Sequence, residues 1–355
     1  MTIYYLQPVR VQSPMGGVKK LYQQVDALCS AGIDAAIVES RLGERQTWFE
    51  NQTPVVAPPI EILPGDLLAI PEAYGDRLPE IAPGVPKVSI NQNAYHTFNW
   101  LEIGTAHPYS TCEDLLGVMV ISEDNRRFVS HCFPDLSVTR VHYGFDSDIF
   151  YFDSTRERQR RLAFMPRKRE GDSHKVLSIL NARGVLGNWL PFPIDNMNEL
   201  EVAEALRESL VFLSFSQQEG CPMPPTEALA CGCFVIGFSG FGGDEYFLPE
   251  HSARVEDGNV LEFARAVERF VESYDRDNRV WDEALSRAAS KFVMSTYSRE
   301  HERSELIDFF DDALLRAARS QTTTTLTRRD VLLARPVPLR ARVERHLRAA
   351  KKKFG

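Results

Sequence analysis

Residues 211–246 read VFLSFSQQEGCPMPPTEALACGCFVIGFSGFGGDEY. An apolar run at 211–216 is short enough for one buried strand, and the Gly and Pro residues that follow break the chain. A short helical pattern carries Glu227. A second apolar strand at 233–238 then runs into a glycine-rich loop that ends at Glu245. Strand, loop, helix and strand in this order is the unit from which parallel sheets are built, and such sheets bind ligands beyond the carboxyl ends of their strands. Glu219 in the loop and Glu227 in the helix therefore fall where a ligand would lie.

The same alternation extends in both directions. Residues 3–6 open the chain as a short strand, a loop VRVQSPMGG follows, and a helical pattern covers 18–31, so that Gly16 and Gly17 stand at a strand-to-helix junction. Glycines there let a backbone approach a ligand, and free N–H groups at a helix start attract anions. Strand signals recur at 34–39, 66–71, 87–91, 118–122 and 137–143, with a strand edge near Val55 and a short helix at 124–131. A polar, charged stretch from Gly144 separates this half from a second one. That half comprises a strand at 161–165, a helix at 173–183, a strand at 189–194, a helix at 200–208, the opening stretch, an edge strand at 253–255 and an amphipathic helix VLEFARAVERFVESY. Helical patterns continue over 281–293 and 299–317, and QTTTT, rich in β-branched residues, ends them. The pattern predicts an α/β chain with open parallel sheets: a Rossmann-like domain at 1–145, a second at 146–298, a C-terminal helix at 299–320 and a basic tail at 321–355.

Composition narrows the class. The chain has 355 residues, 43% of them hydrophobic and 25% charged, enough for two domains with their own cores. No apolar run reaches the roughly 20 residues that span a bilayer, and the first residues lack the pattern of a secretory signal; the expected location is the cytoplasm. The 6 cysteines form no CxxC pair and no zinc-type spacing with histidine, which favours reduced, packed thiols. The net charge of -8 hides an asymmetry. Residues 321–355 hold 10 Lys and Arg against 2 Asp and Glu, which leaves 31 against 47 in the body. An acidic body is a poor match for nucleic acid. The tail places Leu339, Val343 and Leu347 at a spacing of four among basic residues, which suits either an amphipathic helix on an anionic membrane surface or a solubilising tail.

EGCPMPPTEALACGCFVIG between two strands, followed by SGFGGDEY, resembles the donor-binding half of the family 4 glycosyltransferases. Gly16 and Gly17 after the first strand, HYGFD at the link and MPRKR after the first strand of the second half agree with it in order. The resemblance covers roughly residues 1–317 and leaves the tail outside. It implies the GT-B fold, two facing Rossmann-like domains with a C-terminal helix returning toward the first. It implies retaining transfer of a sugar from a nucleotide diphosphate sugar to a glycan, a surface polysaccharide or a lipid-linked acceptor.

What it implies for single residues agrees with their chemistry. An ionised carboxylate accepts hydrogen bonds from vicinal hydroxyls; Glu227 corresponds to the glutamate that holds the ribose and Glu219 to the one beside the donor sugar. The backbone of Gly220, Cys221, Pro222 and Met223 would line the same sugar. Arg167 and Lys168 match in place the family's pair for the diphosphate, where charge grows as the leaving group departs. In the family this pair is separated by several residues, so the adjacency here leaves open which of Arg167, Lys168 and Arg169 faces the phosphate. Gly16 and Gly17 would add N–H groups from the other domain, and Glu245 with its loop fits either a ligand contact or packing. In the first domain, related enzymes carry a histidine after a central strand; here INQNAYHTF offers His96 as a catalytic candidate and Asn93 on the acceptor side, with Gln92 or Asn93 nearer the strand end. No DxD triplet follows a strand, so no metal and no cofactor is expected; the DSD at Asp146 and Asp148 reads as a turn. The alternatives are an epimerase or phosphorylase acting on nucleotide sugars in the same fold, and a non-catalytic scaffold that binds them.

Overall fold

The structure is a computed structural model and describes residues 1–7, 15–101 and 103–332. The proposed amphipathic stripe at Leu339, Val343 and Leu347 lies outside the described residues. The chain divides into two compact units. One contains Met1–Ile121, Arg126–Val141 and the chain from Arg303 onward; the other contains Ser122–Asn125 and His142–Glu302.

The first unit is built on a seven-stranded sheet. Its strands are β1 (Ile3–Leu6), β2 (Ala35–Val38), β3 (Val55–Val56), β5 (Leu67–Pro71), β6 (Lys87–Asn91), β7 (Leu115–Val120) and β8 (Val138–Arg140), while β4 (Ile60–Ile62) stands apart. The order is β3-β2-β1-β5-β6-β7-β8, and every pair is parallel. Strands buried on both faces need continuous apolar runs, and LLAIP of β5 is buried at every position. Helix α1 (Gly16–Ser30) covers one face because Val18, Leu21, Tyr22, Val25 and Leu28 fall on one stripe. Short α2 (Pro108–Thr111) and α3 (Glu123–Cys132) follow, and Val129 and Phe133 pack into the core of the other face.

The second unit repeats the scheme with five parallel strands. They are β9 (Gln159–Phe164), β10 (Leu190–Pro193), β11 (Ser209–Phe215), β12 (Phe234–Phe238) and β13 (Ser252–Val255), in the order β10-β9-β11-β12-β13. Around them lie α4 (Glu170–Ala182), α5 (Glu199–Arg207), α6 (Met223–Ala230), α7 (Val260–Arg276) and α8 (Glu283–Thr296). Helix α4 packs with α7, and α6 packs with α5 and α8. Phe215 stacks on Phe263 at 4.7 Å, and Phe238 meets Phe263 edge-on at 5.1 Å, which locks α7 to the two central strands. The DSD segment is a turn: the Asp148 N–H donates to Asp146 Oδ1 at 3.1 Å, and Asp146 pairs with Arg299 at 2.8 Å.

Two findings concern the end of the chain. Helix α9 (Arg299–Ala317) contributes Leu306, Phe309, Phe310, Ala313, Leu314 and Ala317 to the core formed by α1 and the sheet of the first unit, with Phe310 5.6 Å from Tyr5. The expected basic tail from 321, in contrast, does not begin there. Residues Thr324–Leu326 form β14, antiparallel to β4, and α10 (Arg328–Val331) follows. Leu326 and Val331 are buried in the first unit, and the Tyr74 hydroxyl donates to the Val331 carbonyl at 2.7 Å. The physical reason is the β-branched run itself: TTTTL suits a half-buried strand as well as it disfavours a helix.

Candidate functional site

In the second unit the exits of β9, β11 and β12 lie side by side, because β11 pairs in parallel with both neighbours. The loop after β11 carries Glu219 and the loop after β12 is SGFGG. The two pack backbone against backbone. The Glu219 N–H donates to the Gly240 carbonyl at 3.0 Å, and the Gly242 N–H donates to the carbonyls of Gly240 and Glu219 at 2.9 and 3.3 Å. A Cβ on Gly242 would meet the Gly220 carbonyl oxygen at 2.0 Å, so no other residue fits there. Phe241, beside it, holds φ at 67°, a left-handed conformation that costs a bulky residue about 1–2 kcal/mol. The Tyr246 hydroxyl, fully buried, donates to the Pro222 carbonyl and closes the pair of loops from below. The sequence thus builds a rigid rim from its glycines and one tyrosine.

Helix α6 starts on that rim. Pro222 precedes it and Pro224 and Pro225 occupy its first turn, where a fixed φ is preorganised and a missing N–H costs nothing. Met223 makes no hydrogen bond through its N–H among the described residues. Thr226, Ala228 and Leu229 are buried, whereas Met223, Pro224 and Glu227 are half-buried, so Glu227 stands on the accessible face of α6 one turn from its positive end. Cys221 is 9% exposed on the rim, while Cys231 and Cys233 are fully buried. Burial pushes both inner thiols up, Cys233 to about 12, so neither offers a thiolate. All six cysteines are free.

The three basic residues after β9 separate into three roles. Lys168 pairs with Glu219, Nζ to Oε2, at 2.5 Å, with the side chains 24% and 26% exposed. Arg169 is held by Asp257 at 2.6 Å and Asp172 at 3.5 Å and lies 4.9 Å over the Phe238 ring, a structural tie across three strand exits. Arg167 is exposed and makes no ion pair among the described residues. Arg167 and the Lys168–Glu219 pair therefore face outward, and Arg169 does not. Glu245 is also committed: its carboxylate accepts from the Glu123 N–H at 2.9 Å and the Tyr297 hydroxyl at 2.8 Å.

Among the described residues the first unit gathers glycines and amide side chains at its own strand exits. Gly16 and Gly17 open α1, and neither N–H is hydrogen-bonded among the described residues. Gln92, just past β6, donates from Nε2 to the Gly17 carbonyl at 2.9 Å, and a Cβ on Gly17 would meet Gln92 Oε1 at 2.4 Å. Asn93 caps the single helical turn Ala94–His96 by accepting from the Tyr95 N–H at 3.1 Å. His96 is exposed, and the partial desolvation it feels lowers its pKa, which keeps the imidazole neutral at pH 7. His107 donates from Nε2 to the Thr97 carbonyl at 3.1 Å and is buried among Phe98, Trp100 and Phe133, so it packs. His142 meets Tyr297 edge-on at 5.5 Å and lies tilted to His301 at 5.0 Å.

Sequence reading misses one residue. Glu72 directly follows β5, the strand between β1 and β6, and lines a small cavity with Ser89, Thr97, Trp100, His107 and Tyr109. A carboxylate immediately after the fully apolar LLAIP is the signal that could have found it.

Comparison with known proteins agrees with this layout. The two units together have the GT-B fold. Sucrose-phosphate synthase from Thermosynechococcus elongatus superposes with a TM-score of 0.62 at 12% identity, covering 89% of this chain and 99% of that one. HepE of Anabaena, solved with UDP and glucose, gives 0.60 at 10% identity, covering 88% of this chain and 100% of that one. The family described as Glycosyl transferases group 1 matches residues 193–287, which hold Glu219, Glu227 and the SGFGG loop. An alpha-1,6-glucosyltransferase of Actinobacillus pleuropneumoniae serotype 7 (strain AP76) is 42% identical over 48 residues, which is 14% of this chain and 14% of that relative's length. Among the described residues no helix is long and apolar enough to cross a membrane.

Proposed function

We propose that the chain is a retaining glycosyltransferase that moves a sugar, by preference a hexose, from a nucleoside diphosphate sugar to a glycan or lipid-linked acceptor without a metal. The observation that carries this is the division of labour at the β9 exit. One cation, Arg167, points outward unpaired among the described residues, and a second, Lys168, is half-buried beside a carboxylate on the glycine rim. Next to them stand the start of α6, where the Met223 N–H has no acceptor among the described residues, and, one turn along, Glu227. A diphosphate needs cations and N–H donors, a ribose needs a carboxylate for its two hydroxyls, and a sugar needs a polar rim that excludes water.

In this reading Glu227 takes the ribose hydroxyls. Arg167 and Lys168 face the diphosphate, and Glu219, with the backbone of Gly220, Cys221, Pro222 and Met223, lies against the donor sugar. Breaking the bond between the anomeric carbon and the phosphate oxygen leaves an oxocarbenium-like sugar and a growing negative charge on the diphosphate; the two cations stabilise that charge. The fixed positive groups do what a divalent ion does elsewhere, which is why no metal is invoked. Gly16 and Gly17 would add N–H donors to the phosphates, Asn93 and His96 belong to the acceptor side, and Glu245 contributes through its loop, its carboxylate being engaged. Residues 333–355 are proposed to meet an anionic membrane surface, which would favour a lipid-linked acceptor; weaker vesicle binding after their removal would support this.

A panel of UDP, GDP, dTDP and ADP, read by thermal shift and followed by hydrolysis of the matching nucleotide sugars, tests the reading. Stabilisation by at least one nucleotide is expected. A flat response to all four would end it.

A further inference from the structure

The two loops that form the rim of the second unit meet at one strained residue. Glu219 stands opposite Phe241 in an isolated parallel bridge. In that bridge the Glu219 N–H donates to the Gly240 carbonyl at 3.0 Å and the Gly242 N–H donates to the Glu219 carbonyl at 3.3 Å. These two groups belong to the rigid peptides on either side of Phe241, so the backbone angles of Phe241 decide whether both reach Glu219 at once. The conformation that achieves this has a φ of 67°, which a bulky side chain disfavours. Such a conformation persists only where its surroundings over-determine it.

Asp244 provides that constraint. Its Oδ1 accepts from the Ser239 hydroxyl, five residues earlier at the start of the loop, and pairs with Arg254 Nε at 2.7 Å. Ser239 is buried, and its Oγ in turn accepts from the Phe241 N–H at 3.4 Å. The Asp244 N–H donates to the Phe241 carbonyl at 3.0 Å, and the Gly243 N–H donates to the Ser239 carbonyl at 3.2 Å. The N–H and the carbonyl of Phe241 are thus both engaged by the two residues that the Asp244 carboxylate joins. Of its two partners Ser239 matters more. Arg254 lies on the edge strand β13 with its side chain 50% exposed, where an ion pair contributes little.

The glycines of the loop give it room without fixing it. A Cβ on Gly240 would meet the Gln217 carbonyl oxygen at 2.2 Å, and one on Gly243 the Ser239 carbonyl oxygen at 2.4 Å, so the loop lies backbone against backbone and needs a side-chain clip to keep its shape. What that shape holds is the backbone of Glu219, whose carboxylate pairs with Lys168 and accepts from the Gln217 N–H at 3.3 Å.

We infer that Asp244 is a positioning residue for the donor-sugar side of this site: by clipping Ser239 it holds the left-handed turn at Phe241, and the turn holds Glu219. It acts through that backbone and not through the ligand. The inference deepens the proposed function and rests on it for the ligand, since Glu219 and its rim are assigned there to the sugar and Glu227 to the nucleotide. Loss of the clip should therefore be felt at the sugar while nucleotide binding survives.

The test compares nucleoside diphosphates with their sugar conjugates. UDP, GDP, dTDP and ADP are titrated into the full chain and into Asp244→Ala, Ser239→Ala, the double variant and Asp244→Asn, and hydrolysis of the glucose, galactose and N-acetylglucosamine conjugates is followed. Asp244→Ala should keep diphosphate affinity within about twofold and lower kcat for hydrolysis by about 10- to 100-fold, the effect of a small misplacement at a reacting centre. Ser239→Ala should match it, and the double variant should be no worse than either, because the two residues act as one unit. Asp244→Asn keeps an oxygen for the Ser239 hydroxyl and should retain most of the rate. An unchanged rate in Asp244→Ala, a parallel loss of diphosphate affinity, or additive effects of the two single substitutions overturn the inference. If no diphosphate binds, the donor reading falls on its own. In that case, or if no conjugate turns over, hydrogen exchange of the Glu219 and Gly242 amides decides the clip: exchange at least about tenfold faster in Asp244→Ala supports it, and unchanged exchange overturns it.

Discussion

The two units are built on the same parallel plan and differ in what they place at their strand exits. The second puts charge there: Arg167, the Lys168–Glu219 pair and Glu227 on the accessible face of α6. Among the described residues the first puts amides, glycines and a half-buried carboxyl there: Gly16, Gly17, Gln92, Asn93 and Glu72. Charged exits suit a ligand that brings its own charge and counter-groups. Exits rich in amides and glycines suit hydroxyl groups that must be oriented.

The difference can be attacked through stability. Leu326 of β14 is fully buried in the first unit, so Leu326→Ala should cost about 2–5 kcal/mol of that unit's stability. Nucleotide binding by the second unit should survive it. Urea unfolding monitored by exchange in 35–38 and in 209–215 would show one unit weakened and the other intact; equal weakening of both would erase the distinction between the units.

Glu227→Ala should weaken nucleoside diphosphate affinity by about 1.5–3 kcal/mol, the value of hydrogen bonds to a charged group, with little change in melting temperature because the residue is half-buried on a helix face. Calorimetric titration measures it, and an unchanged affinity removes its ribose role. The basic residues give a smaller and sharper contrast. Arg167→Ala should lower affinity about tenfold at low salt and less at high salt, since an exposed cation is screened. Arg169→Ala should leave affinity nearly intact and lower stability instead, because it removes the ties to Asp257 and Asp172. The smallest effect expected is that of ending the chain after residue 320, which removes β14 and α10: it should destabilise the first unit and leave nucleotide affinity unchanged.

The same contrast explains how much of the molecule is legible in its sequence. The charged rim of the second unit comes from one contiguous stretch, 211–246, plus the five residues after β9; strand and turn signals place Glu219 and Glu227, the family resemblance adds Lys168, and the structure pairs Lys168 with Glu219. The exits of the first unit come from three distant segments, at 16–17, 72 and 92–96, and none carries a pattern of its own. Glu72 looks like any acidic residue after a strand until the sheet order puts β5 between β1 and β6. Adjacent basic residues are equally opaque. Arg167, Lys168 and Arg169 read alike in sequence, and only the positions of Glu219, Asp257 and Phe238 separate the outward cation from the paired and the structural one. The start of the tail is misplaced by sequence reading because a run of threonines excludes a helix without announcing that a partner strand, β4, lies more than 250 residues earlier.

The central claim is that the charged exits of the second unit hold a nucleoside diphosphate. Titration of the full chain with UDP, GDP, dTDP and ADP, repeated on Glu227→Ala and Arg167→Ala, tests it most directly. The account predicts that at least one nucleotide binds and that both substitutions weaken it, Glu227→Ala through the ribose and Arg167→Ala in a salt-dependent way. Absence of binding by all four, or binding that neither substitution alters, would contradict it.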